Sequence, residues 1–244
     1  MGVSVKIVLP DTGPLITLAQ ANALDVLLVF DPELVLLVVT DMVEFEATRL
    51  RSSHEDAQRI ADFIAKHAGR IVIEQTSFGR MAISAAQTHE RYNQSQAVRD
   101  FYRSQHMPPP VPPAQNSGEL SINSYVTELI GQPPGPPCLV IAEDDFFLRS
   151  TPGALPGNAH IISTAMLLAV IERLEPGIKA RDILDAAKRY NGRNPNRAQV
   201  DTSAAKIKGG STWSEVVNVT NLTKKLANRP GAEKKGTKKK PQGE

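Results

Sequence analysis

Five short apolar runs, separated by stretches with helical spacing, constrain what this chain can fold into. They are Ile7–Leu9, Leu34–Thr40, Arg70–Thr76, Cys138–Ala142 and His160–Thr164. Each is too short for a helix and has the length and composition of a buried strand. Between them, LITLAQANALDVLL, DMVEFEATRLR, AQRIADFIAKHAG, AMLLAVIERL and IKARDILDAAKRY carry apolar residues at helical intervals. Strand alternating with helix predicts an α/β fold built on a parallel sheet with helices on its faces. Pro10 cannot donate to a ladder and ends the first strand. Asp11 or Thr12 then stands where a helix N-cap is expected. Thr40 or Asp41, Ser53 with Asp56, and Asn116 or Ser117 occupy similar places before later helices.

The alternation breaks at residues 77–115. A polar, arginine-bearing helical stretch is followed there by MPPPVPPAQ, which can be neither helix interior nor central strand. We expect this segment to be an excursion out of the core, with Arg99 and Arg103 among arginines placed to meet a phosphate backbone. The domain should close near Tyr190, leaving 1–190 as the folded unit and 191–244 as a basic, largely flexible extension around the apolar island near Trp213. That extension holds twelve Lys or Arg against four acids, so a net charge of +2 divides into a +8 tail and a −6 body. A basic arm on an acidic body suits a polyanion partner.

Composition also excludes classes of function. The single cysteine, Cys138, rules out an internal disulfide and a multi-cysteine zinc site. The most apolar stretch, Val26–Val43, is interrupted by Asp31, Pro32 and Glu33, so no membrane span is expected. The first residues lack a secretory pattern, and a cytoplasmic location is the expectation.

Four acids stand at comparable places: Asp11 after the first strand, Glu46 early in the helix after the second, Glu119 at the start of a later helix, and Asp144 after the strand Cys138–Ala142. Asp145 is an alternative to Asp144, and Glu44 to Glu46. In a parallel sheet all of these fall near one edge. Carboxylates without His or Cys select hard cations, Mg²⁺ or Mn²⁺. Such ions activate a water and neutralise charge building on a phosphodiester.

The motifs DTGPLITLA, VVTDMVEFEATR, SGELSI and LVIAEDDFF together resemble the PIN-domain nuclease family, in its toxin-related (VapC-like) branch with a Gly-Glu third motif. The resemblance covers roughly Val5 to Tyr190 and departs from the family at Ala47 and Ala142. It implies a three-layer α/β/α fold and a metal-dependent ribonuclease, a hydrolase cutting RNA. By it Asp11, Glu46, Glu119 and Asp144 would be catalytic. Asp11, Glu119, Asp144 and Asp145 would be metal ligands, and Thr12 would position substrate beside Asp11. A toxin would need an antitoxin-type partner covering the acidic cleft, and apolar helices would suit a homodimer. The competing expectation is a catalytically inactive RNA-binding or scaffold protein of the same fold.

Overall fold

A computed structural model describes residues 6–114, 116–130, 135–143 and 158–190. The expectations at Asp144, Asp145 and the Trp213 island lie outside these residues. Strands β1 (Ile7–Pro10), β2 (Leu36–Thr40), β3 (Ile71–Glu74), β4 (Cys138–Ile141) and β5 (Ala159–Ile162) form one sheet in the order β3-β2-β1-β4-β5. Every pairing is parallel. β1 and β4 are buried along their whole length. That explains why their sequences are continuous apolar runs and not alternating ones, since helices cover both faces of such a sheet. Pro10 is the last residue of β1, and the amide after it, Asp11 N–H, donates to the Ile141 carbonyl at 2.9 Å.

The helices are α1 (Thr12–Gln20), α2 (Asp41–Thr48), α3 (Glu55–Lys66), α4 (Ser77–Gln94), α5 (Gln96–Ser104), α6 (Ser117–Ser124), α7 (Thr164–Leu174) and α8 (Ala180–Arg189), with a 3₁₀ turn at Leu24–Val29. They flank the sheet as the three-layer α/β/α arrangement requires. None is long and apolar enough to cross a membrane.

Three expectations are corrected. The Ser53–Asp56 capping box does not form: His54 is the N-cap of α3, and Ser53 Oγ instead bonds the Leu50 carbonyl and His54 Nδ1. The helix expected to run on from Asn116 changes to a π-helix at Tyr125–Ile130. At this change Thr127 Oγ1 donates to the Asn123 carbonyl at 2.6 Å, so a hydroxyl competes with the helix ladder there. The excursion expected over 77–115 does not begin at Ser77. Gly79, Ala82 and Ala86 are a buried stripe of small residues on α4, which packs against α2 and α6. The surrounding polar residues hid that stripe in the sequence. Among the described helices only α5 has no buried residue.

The core has an alkaline limit. Burial pushes the Cys138 thiol up to about 12 and, with help from Glu74, the Tyr125 phenol up to about 12. Both groups are neutral when protonated, so folding keeps their protons while the unfolded chain releases its own above pH 9 to 10. Their contribution is therefore constant below about pH 9 and is lost progressively toward pH 12. By about pH 10.5 the loss should be on the order of 2 kcal/mol. Urea unfolding at pH 8 and 10.5 checks this, and Cys138 should resist thiol reagents at pH 8 until the chain is unfolded.

Candidate functional site

The chain leaves β1 toward β2 and β3, then returns to β1's other side as β4. The order of strands thus reverses between β1 and β4. A crevice opens at such a reversal, outside the carboxyl ends of the strands. Asp11 is the first residue past the end of β1 and is buried, 3% exposed. It occupies the N-cap position of α1, yet its side chain makes no capping hydrogen bond. Helix capping therefore does not explain the residue, and its carboxylate stays at the sheet edge.

Glu46 reaches the same place from α2. Thr12 Oγ1 donates to Glu46 Oε2 at 2.9 Å, tying the first turn of α1 to α2. Of the two candidate acids on α2, Glu44 is turned to its own helix, where Thr48 Oγ1 donates to its Oε1 at 3.1 Å. Of the two, only Glu46 is bonded to Thr12.

Gly118, at the start of α6, is where these side chains meet. A Cβ on Gly118 would stand 2.7 Å from Glu46 Oε2, 3.1 Å from Thr12 Oγ1 and 3.3 Å from Asp11 Oδ1. Only a residue without a side chain lets the backbone approach the carboxylates this closely. A hydroxyl chain fixes the approach. Ser121 Oγ donates to the Gly118 carbonyl at 2.7 Å, so its proton is committed. Thr40 Oγ1, at the end of β2, therefore donates to Ser121 Oγ at 2.6 Å. Glu119 follows Gly118 in the first turn of α6 and is buried, 8% exposed. The structure thus gathers Asp11, Thr12 and Glu46 around Gly118, with Glu119 the next residue in the chain.

Two neighbouring features were not placed at the site from the sequence. Glu143, the residue after Ala142 beyond β4, accepts from Thr17 Oγ1 of α1 at 2.8 Å. Asp41 is buried at the start of α2, where its Oδ1 accepts from Met42 N–H at 3.0 Å and Thr76 Oγ1 at 3.1 Å. Thr76 in turn caps α4 by accepting from Gly79 N–H at 2.8 Å. A Cβ on Gly79 would overlap the Asp41 carboxylate, with Cγ at 2.5 Å and Oδ2 at 2.7 Å. An Asp at the start of one helix and a Gly in the first turn of another were the available signals.

The arginines expected to meet substrate differ from one another. Arg99 is committed to the α4–α5 corner, donating to the carbonyls of Tyr92 and Asn93 at 3.2 and 2.6 Å and to Gln96 Oε1. Arg103 is exposed and pairs loosely with Asp100 at 3.1 Å.

Among the described residues no group of three or more His, Cys, Asp or Glu side chains is close enough to hold a metal ion. The donor set that does converge, Asp11 and Glu46, is all oxygen. It fits the way Mg²⁺ is commonly held, by one or two carboxylates with water completing the shell.

The chain matches no protein-family model. No curated protein sequence matches it either. Among solved structures it is similar to the crystal structure of VapBC2 from Rickettsia felis bound to a DNA fragment from their promoter, at a TM-score of 0.33 and 10% identity over 64% of this chain and 98% of that one. At that level the likeness carries no weight; the side-chain geometry at the sheet edge does.

Proposed function

We propose that this chain is a metal-dependent endoribonuclease whose site is the Asp11–Glu46–Gly118 cluster. The observation that carries the reading is the approach of Asp11 Oδ1, Thr12 Oγ1 and Glu46 Oε2 to one glycine at the start of α6. Like charges packed this tightly destabilise one another unless a cation or a proton joins them. Asp11 and Glu46 are the residues that would hold a divalent ion, with buried Glu119 adding negative charge nearby. A bound Mg²⁺ or Mn²⁺ would supply water activation and charge neutralisation at a phosphodiester. The residues themselves do the positioning. The Thr12 hydroxyl occupies one Glu46 oxygen and fixes that carboxylate's rotamer. The Thr40–Ser121–Gly118 chain sets the distance of α6 from the sheet edge. Burial leaves little of Asp11 in contact with bulk water.

The test is incubation of the full chain with a labelled pool of single-stranded and structured RNA at about 5–10 mM Mg²⁺ or Mn²⁺, beside an EDTA control. Internal cuts that need the metal and vanish with EDTA are the expected result. RNA bound but uncut under every metal condition would overturn the nuclease reading in favour of a non-catalytic RNA-binding protein.

A further inference from the structure

α5 is strongly amphipathic yet has no fully buried residue, and its exposed Phe101 is an aromatic surface that the carboxylate site does not explain. Phe101 is 57% exposed. Its ring meets Tyr102 edge-on at 6.2 Å, and Tyr102 meets Tyr92 of α4 edge-on at 5.3 Å. The rings thus run in sequence across the α4–α5 hairpin. Arg91 and Arg103 are exposed on the same two helices. Arg99 makes the corner rigid through the carbonyls of Tyr92 and Asn93. Residues 77–104 hold four arginines against two acids, on a body that is acidic overall.

Both ends of this excursion are anchored at the carboxylate edge. α4 starts against Asp41 through Thr76 and Gly79. The proline-rich segment after α5 leads back to Gly118. α4 spans about 27 Å; its first half, with Gly79, Ala82 and Ala86 buried, packs on α2 and α6, and α5 follows from its far end.

We propose that the α4–α5 hairpin is a platform for single-stranded RNA, with Phe101 stacking on a base and Arg91 and Arg103 holding phosphates. An exposed ring, Phe101, backed by half-buried Tyr102 and Tyr92 and set among arginines, is the kind of surface unpaired strands use, because every base has a face to stack and duplex bases hide theirs. A second copy of this chain fits less well, since facing hairpins would bring excess arginine against excess arginine. The choice of RNA rests on the nuclease reading above.

Binding of a fluorescein-labelled oligouridylate to the full chain, followed by anisotropy in EDTA, tests the platform separately from cleavage. Phe101→Ala should weaken binding about tenfold and abolish the preference for oligouridylate over an abasic ribose-phosphate strand. The basic C-terminal residues cannot imitate that preference, because charge does not distinguish the two strands. Replacing Arg91 and Arg103 together by Gln should lower the salt dependence by about 1.4 in log–log slope. Unchanged affinity in Phe101→Ala, tighter binding of duplex RNA, or tighter binding of the matching DNA strand would each overturn the proposal. So would a Phe101→Ala chain that goes from dimer to monomer in sedimentation while binding RNA as before. If stacking holds and no cutting is ever seen, the platform stands and the nuclease reading fails.

Discussion

Asp11→Asn is expected to abolish metal-dependent RNA cleavage, by about 10²–10⁴-fold in rate, without loss of the fold. Asn is nearly isosteric with Asp and removes one charge. The Asp11 side chain makes no capping hydrogen bond, so the substitution takes no cap from α1. It also leaves one formal negative charge fewer beside Glu46, where Thr12 and Gly118 bring the two side chains together. Thermal stability of the metal-free variant should therefore equal or exceed that of the wild type, as when a functional site gives up strained charge. Cleavage kinetics and melting temperature, measured on the same preparation, check both halves. A variant that cuts normally would remove Asp11 from the site. A variant that melts far below the wild type would make the residue structural.

The second large effect separates two glycines. Gly79→Ala should cost about 3 kcal/mol of stability. Its Cβ would overlap the carboxylate of Asp41, a short buried side chain fixed by Met42 N–H and Thr76 Oγ1. Relief requires α4 to lift from α2 or Asp41 to leave its partners. Gly118→Ala should behave differently. The atom nearest its Cβ is Glu46 Oε2, the far end of a flexible side chain. Glu46 can swing aside at little cost to the fold, but it then leaves Thr12 and the metal-binding position. Urea unfolding should rank Gly79→Ala well below Gly118→Ala in stability, while Gly118→Ala should lose cleavage with its fold intact. Equal destabilisation of the two would mean that the carboxylate cluster is as rigid as the core.

What was legible in the sequence was whatever depends on local pattern. The apolar runs at Ile7–Leu9 and Cys138–Ala142 named the central strands, because parallel strands buried on both faces cannot alternate. Asp11 was visible because a strand stops there, and Glu46 because of its place in the first turns of α2. What was not legible depends on pairs distant in sequence. Nothing local marks Gly118 as the glycine that touches Glu46, or Thr17 as the partner of Glu143. The burial of Gly79, Ala82 and Ala86 was hidden by the polar composition of α4. Arg99 read as a substrate contact because a guanidinium that caps a neighbouring helix looks the same in sequence as one left in solvent.

The sheet order also bears on how the molecule is made. β1 gains β2 early, but its other edge waits for β4, since Ile7 pairs with Cys138. At ordinary translation rates of about 5–20 residues per second, roughly ten seconds separate the two segments. During that interval one side of the central strand is an open template for stray pairing. Gly118 too emerges long after Asp11 and Glu46, so a growing chain carries the first carboxylates before the backbone that gathers them. High contact order of this kind makes folding slow and the last-formed contacts decisive. The proposed chemistry therefore waits on Gly118, and a truncated chain ending before α6 has Asp11 and Glu46 without the backbone that gathers them.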